Sequence, residues 1–438
     1  MKAVVMMAGD VASWVGRATA GVLRERIAGR SALPDLDPSA VRAGDGRPAG
    51  ENPYPVLGAP AATRVVEPEP EPVSGPELLT VGVEEEFLLV DPATGMAVPA
   101  VERVLDKVAP ELRGQVQHEF QTSQIEIGSP PGLELSALRH SLGLLRTGLS
   151  KAAEEAGARL LAVGTGPVEG PVPPIVGKPR YHRMIERFRL LSPGPGCNGM
   201  HVHVGVADRE VAVQVLNHLR PWLPILQAAT ANSPFHAGAD TGYASWRSVL
   251  WSHWPSVSPT PWLESYAHYE RLLDELVDTG MLLDEGMLYW YARLSATYPT
   301  VEIRVGDVCP SLDGTILIAA LVRALVGTAL NDIEAGRPAP RIDHHLLVGA
   351  HWRAAHDGLA GAAVDLDFGG TRPAWSLLHR LVDKVRPELE RHGDLALVTT
   401  LLDRLRSHGT GAARQRAVYA RTGDLLAVVD DLARQTRG

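Results

Sequence analysis

The segment LTVGVEEEFLLV, residues 79–90, reads as a β-strand: it is built of apolar and β-branched residues and is bounded by Pro76 and by Asp91-Pro92. Side chains alternate across a strand, so residues i and i+2 share a face about 6.6 Å apart. Glu84 and Glu86 therefore share one face, and Val83, Glu85 and Phe87 the other. Three later segments repeat the pattern. In QTSQIEIG (121–128), Gln124 and Glu126 oppose Ile125 and Ile127; in GMHVHVGV (199–206), His201 and His203 oppose Val202 and Val204; in TVEIRVGD (300–307), Glu302 and Arg304 oppose Val301, Ile303 and Val305. Strands that carry charge at their centres and do not alternate strictly with helices predict an α+β fold with a largely antiparallel sheet, not a doubly wound parallel one.

A wet outer sheet face would account for any one of these strands, but Lys, Thr and Ser would suit that role better than clustered Glu, His and Arg. Clustered carboxylates repel unless a cation sits among them. Several oxygen ligands together with an imidazole suit Mg²⁺ or Mn²⁺ better than a metal held by thiolates. Glu119 lies seven residues before Glu126. Strict alternation puts it on the opposite face, and a bulge or turn is needed to bring it to the others.

Composition narrows the classes. The chain has 438 residues, 45% hydrophobic and 21% charged, which fits a globular protein. A net charge of −9 argues against a nucleic-acid partner. Cys197 and Cys309 are too few for a disulfide framework or a Cys-rich zinc site. No run of eighteen apolar residues reads as a membrane span, and the N-terminus lacks a convincing cleavage site, so a cytoplasmic location is expected. Residues 1–76 differ from the remainder. Met1–Ile27 could form a short amphipathic helix, and the Pro-, Gly- and Glu-rich stretch after it reads as a disordered or extended linker. Residues 77–438 form the expected catalytic unit. Its helices are expected over LELSALRHSLGLLRTGLSKAAEEAG with a stop at Gly157, over EVAVQVLNHLRPWLPILQAAT broken or kinked at its prolines, over 313–334, and through nearly all of the chain after Pro373.

Several motifs fail their context. GPGCNG (194–199) precedes a strand instead of opening a helix after one, so it is no dinucleotide fingerprint. There is no P-loop, no H-E-x-x-H and no G-x-S-x-G. His-x-His at 201 and 203 is also what some metal-dependent hydrolases place on a strand to hold zinc.

Taken in order, GVEEEFLLV, HEFQTSQIEIGSP, GMHVHVGV, DTGYASWRSVLW and TVEIRVGD resemble the glutamate–cysteine ligase type 2 family, nearest to its carboxylate–amine ligases. The resemblance runs from about Leu78 to the C-terminus. It implies a glutamine synthetase-like fold, in which a curved antiparallel sheet flanked by helices carries the active site on its concave face. It implies ATP and Mg²⁺ (or Mn²⁺), a small-molecule carboxylate such as glutamate, and an amine, with neither nucleic acid nor membrane as partner; a homodimer is compatible with it. By position it implies metal ligands at Glu84, Glu86, Glu119, Glu126, His201 and Glu302, a phosphate contact at Arg304, and substrate binding around Arg247, Tyr243 and Arg293. Tyr291 departs from the family's Asp, and Met200 from its common Cys.

The implied chemistry suits these residues. A carboxylate is a poor electrophile, and phosphorylation gives it a good leaving group. Phosphoryl transfer needs positioning and charge neutralisation, which carboxylate-held metals and Arg304 would supply; Glu84 and Arg304 are the expected catalytic pair. A metal-dependent amide hydrolase built on the His-x-His strand and a weakened nucleotide-binding homologue are the competing readings.

Overall fold

Seven strands form a single antiparallel sheet: β1 (Val81–Val90), β2 (Val116–His118), β3 (Gln124–Gly128), β4 (Arg159–Leu161), β5 (Gly199–Gly205), β6 (Ala292–Leu294) and β7 (Thr300–Asp307). Their order is β2-β3-β1-β5-β7-β6, with β4 paired to the C-terminal end of β1. The structure, a computed structural model, describes residues 78–191 and 196–437. The helix and linker expected within residues 1–76 lie outside the described residues.

The register gathers the charged side chains. Glu86 faces Glu126, Glu84 faces His201, and Glu302 faces His203 on one side and Arg293 on the other. Cross-strand partners project to the same side of a sheet, so the charged faces of all four strands form one surface. A register shift between Met200 and Val202 marks a bulge at His201, opposite Arg304.

The opposite face is the core. Phe87, Ile125, Ile127, Val202, Val204, Val301, Ile303 and Val305 pack in one buried cluster with helices α1 (Leu135–Glu155) and α7 (Leu312–Glu334). Among the described residues α7 alone is long and apolar enough to cross a membrane, yet most of it is buried in this core. α1 ends at Gly157, whose positive φ of 75° suits a residue without Cβ. The stretch expected as one broken or kinked helix is two, α3 (Arg209–Leu219) and α4 (Leu223–Thr230), with Pro224 in the first turn of the second, where its missing N–H costs nothing. Two further helices, α2 (Pro179–Phe188) and α5 (Trp246–Trp251), flank the charged face. After Pro373 the chain is helical, and its last helix, Leu425–Arg437, covers the end of β1 through Val428, Val429 and Leu432 against Leu88 and Val90.

One charge sits on the aliphatic side. Glu85, between Glu84 and Glu86, is fully buried against Arg146 of α1, which donates to it from Nε (2.8 Å) and Nη2 (2.5 Å). Thr315 of α7 donates to the same carboxylate at 2.6 Å, and Arg146 also reaches the carbonyls of Cys309 and Pro310. The pair ties sheet, α1 and α7 together. Removing one partner strands the other charge in the core, so Arg146→Leu is expected to cost about 3–5 kcal/mol. Glu85→Leu combined with Arg146→Leu is expected to recover much of that loss. Chemical denaturation of both variants checks this, and a loss in the single variant below about 1 kcal/mol, the range of a solvated pair, would contradict it.

Candidate active site

The charged face floors a cavity of about 410 Å³. Glu84, Glu86, Glu119, Glu126, His201, Arg304 and Arg247 all line it. Glu119 arrives there by a route that strict alternation does not anticipate. The turn that this requires is present: residues 116–128 form two strands, β2 and β3, joined by a turn. Gln117 of β2 pairs with Glu126, and Glu119, two residues on from Gln117, reaches the same side.

Glu84 sits at the centre. His201 Nδ1–H donates to its Oε2 at 3.0 Å, and His203 Nε2 lies 3.4 Å from its Oε1. Its carboxylate belongs to two groups of potential ligand atoms, one with Glu126 and His201 and the other with His203 and Glu302, each within a 4.8 Å span. His203 Nδ1 is 3.0 Å from Thr300 Oγ1, and its buried Nε2 is turned to the Glu84 carboxylate. An imidazole nitrogen turned to a carboxylate on a buried, acid-rich face belongs to a donor set that suits a cation. The donor set of carboxylate oxygens with one imidazole in each group fits Mg²⁺ or Mn²⁺. His203 was readable in the sequence as the face-mate of His201, but the resemblance pointed to His201 alone.

The electrostatics agree. Burial pushes the Glu119 carboxyl up to about 8, with Glu86 adding to the rise. Burial and the charges of Glu119, Glu84 and Glu86 hold Glu126 well above the usual carboxylate range. Burial raises Glu84 too, but the hydrogen bonds and charges of His201 and His203 outweigh it and keep that carboxyl low. Burial, aided by Arg304, lowers His201, so its imidazole is neutral near pH 7 and retains a lone pair. Carboxylates that resist ionising together beside an ionised one form a site whose repulsion a divalent cation would relieve.

Glu302 is tied down by two guanidiniums. Arg293 donates to it from Nε (2.8 Å) and Nη2 (3.3 Å), and Arg304 forms an ion pair with it from the cavity side. Burial opposes the charge of Glu302, yet Arg304 and Arg293 hold its carboxyl well below the usual range. Arg293, expected at the substrate, does not line the cavity; it stands behind Glu302 and also donates to the carbonyl of Leu288. Tyr243 is not brought to the cavity either. Its ring packs on Trp246 and His356, and its hydroxyl accepts from Trp352 Nε1 at 3.4 Å. Its neighbour in the motif, Arg247, does face the cavity: it lies in the first turn of α5, whereas Tyr243 precedes the helix. Arg247 is 3% exposed, stacks over Trp251 at 4.6 Å, and has a buried Nε without a partner. Tyr291 is buried against the His351 ring at 4.4 Å. Cys197 lines the cavity, but burial pushes its thiol up to about 12, so it is no nucleophile at neutral pH.

Opposite the charged floor stands a wall that, apart from Phe120, Leu250 and Trp251, lies outside the sequence motifs. It includes Tyr181 and Met184 of α2, Leu190 and Leu191 beyond it, Leu250, Trp251 and Trp254, and Tyr289. Phe120 meets Tyr181 edge-on at 5.1 Å, and Trp254 meets Tyr289 at 6.0 Å.

Residues 80–431 match the model of glutamate-cysteine ligase family 2. A Salinispora arenicola protein with the provisional name glutamate–cysteine ligase 2 is 53% identical over 366 residues, covering 83% of this chain and 97% of its own length. Among solved structures, the glutamate–cysteine ligase of Francisella tularensis in complex with AMP superposes with a TM-score of 0.60 at 14% identity, covering 82% of this chain and 89% of that one. A bifunctional glutathione synthetase from Pasteurella multocida gives 0.62 at 15% identity; the match covers 82% of this chain and 52% of that larger one. At such identities these two likenesses speak for the fold alone.

A Cβ at Gly199 in β5 would lie 2.3 Å from Arg247 Nη2. Only the far end of a side chain has to move, so Gly199→Ala is expected to cost no more than about 1 kcal/mol, a fall in Tm of about 1–2 °C for a unit of this size. A crystal structure of the variant should show the guanidinium displaced from the cavity. An unmoved Arg247 would contradict the assignment of Gly199 as the space that this arginine fills.

Proposed function

The chain belongs to glutamate–cysteine ligase family 2, and from that premise we propose how its cavity works as an ATP-dependent carboxylate–amine ligase, with glutamate as the donor and a γ-glutamyl amide as the product. The observation that carries the reading is the shared carboxylate of Glu84, which joins two ligand groups beside Arg304 on the cavity floor.

In the first step a donor carboxylate oxygen attacks the γ-phosphorus of ATP. A C–O–P linkage forms, the bond to the β-phosphate oxygen breaks, and ADP leaves. In the second step the amine attacks the acyl carbon, the C–N bond forms, and inorganic phosphate departs. Starting from the ammonium, one proton leaves with the phosphate and one is released. Glu84, Glu126 and His201 would hold one divalent ion and Glu84, His203 and Glu302 another, with Glu86 and Glu119 at the margin. When bound, such ions neutralise triphosphate charge and polarise phosphoryl oxygens. Arg304, its charge reinforced by Glu302, Glu86 and Glu84 against the effect of burial, stays cationic in front of the transferring group. Arg293 acts through Glu302 as a positioning residue. Arg247 offers its unpaired donors to the donor's carboxylate, and the buried floor limits competing water.

A hydrolase would place both imidazoles of His-x-His on one zinc. Here His201 and His203 belong to different ligand groups, which favours the ligase. Residues 77–438 would hold the whole catalytic unit, a reading supported by the extent of the family match. A cytoplasmic location suits a reaction that consumes ATP, and both cysteines are free thiols.

Three measurements follow. With ATP, Mg²⁺, glutamate and an amine, Glu84→Gln and Glu126→Gln should each nearly abolish ADP release while staying folded; full activity in both, or in excess chelator, would sink the site, and activation by zinc alone would favour hydrolysis. Arg304→Lys should lower kcat by roughly 10²-fold, about 2.7 kcal/mol, more than it raises the KM for ATP, because a point charge replaces a planar fork of donors. An unchanged kcat with a slightly lower Tm would make Arg304 a partner of Glu302 and nothing more. A chain lacking residues 1–74 should retain turnover; loss of folding would assign the N-terminal segment to the catalytic unit.

A further inference from the structure

Resting on the ligase reading, we infer that the amine acceptor carries no carboxylate: it is a primary amine with an apolar alkyl or aryl body, not an α-amino acid. Joining two amino acids would require the cavity to anchor two α-carboxylates in addition to the triphosphate, and a carboxylate taken from water needs charged donors to replace its hydration.

Among the described residues, three arginines and no lysine line the cavity. Arg304 is committed to Glu302 and stands among the carboxylates of the floor, where phosphate is handled. Arg180 is spent on Asp284, donating from Nε and Nη2 at 2.7 Å each, while its Nη1 faces the sulfur of Met184. Apart from Arg304, whose Nε is also unpartnered but which faces the phosphate site, open capacity belongs to Arg247: it is almost wholly buried, its Nε has no partner, its Nη1 lies 4.0 Å from Asp307, and its Nη1 and Nη2 reach backbone carbonyls only at 3.5 Å. It anchors one carboxylate, and the donor needs it. Lys178 packs on the outer side of the Tyr181 ring at 5.3 Å and is exposed outside the cavity.

The surface that remains for the acceptor is the aromatic wall. Tyr181, Trp254 and Tyr289 present ring faces and edges, and burial holds the Tyr181 hydroxyl well above its ordinary value, so it stays neutral. At the rim Leu190 is 83% exposed, an apolar side chain that an alkyl or aryl substituent would cover. An ammonium entering between this wall and the floor meets carboxylates on one side and π-faces on the other, both of which attract a cation. An acceptor carboxylate in the same place would face Glu119 and Glu126, which line this side of the cavity, and the arginine beside them, Arg304, is paired with Glu302. This departs from the acceptor in the relatives' names.

The test uses the full chain with ATP, Mg²⁺ and glutamate, and compares each amino acid with its decarboxylated counterpart: L-cysteine with cysteamine, and L-phenylalanine with phenethylamine. Amide is identified by mass, and kcat/KM is taken from phosphate release. Each amine is expected to exceed its amino acid by at least about tenfold, the cost of leaving one carboxylate without a partner. Trp254→Ala, and the surface change Leu190→Asp, should raise the KM for phenethylamine and leave the KM values for glutamate and ATP unchanged. Amino acids that equal or outperform their amines would overturn this inference and leave the ligase standing. A rise in the KM for ATP in Trp254→Ala would assign the wall to the nucleotide base and overturn it likewise. No ATP-dependent amide with any acceptor would overturn both readings.

Discussion

Four carboxylates, those of Glu84, Glu86, Glu119 and Glu126, face one cavity from adjacent strands, and their mutual repulsion is the constraint to which the surrounding structure responds. Neutral imidazole, one guanidinium and one backbone N–H are set against it: His201 bonds Glu84, Arg304 stands beside Glu302, and Gly199 donates its N–H to Glu86 at 2.5 Å. These partners do not neutralise the cluster, since Glu119 and Glu126 remain hard to ionise. A site left in this state favours a divalent cation, and a nucleotide that brings one.

Holding such a face rigid needs a strong scaffold behind it. The aliphatic residues between the charged ones are buried against α1 and α7, and the Glu85–Arg146 pair fixes β1 to both helices at the position flanked by two cavity carboxylates. A slip of one residue in β1 would exchange Glu85 for Glu84 and Glu86, putting two unpaired charges in the core. The buried pair therefore specifies register, a role for which buried ion pairs are better suited than for stability alone.

Much of this was legible in the sequence, because alternation is a short-range property. It assigned Glu84, Glu86, Glu126, His201, His203, Glu302 and Arg304 to one face without knowledge of strand order. Alternation alone did not carry Glu119 to this face: the intervening turn that it required lies between β2 and β3 and resets the alternation, and no residue in QTS announces a hairpin as an Asn-Gly pair would. Tyr243, before α5, and Arg293, on β6, lie close in sequence to cavity-facing elements but project elsewhere, a matter of tertiary packing. The ion pair of Glu85 with Arg146 spans 61 residues, and the aromatic wall assembles from segments 120, 181–191, 250–254 and 289. Contacts of that range leave no local periodic signal.

The central claim is that Glu84 serves two cation sites at once. Counting Mn²⁺ bound to the protein by electron paramagnetic resonance, for the native chain and for Glu84→Gln, tests it most directly. The account requires two ions in the native protein and the loss of both in the single variant, with the fold verified by circular dichroism. Retention of either ion by Glu84→Gln would contradict it.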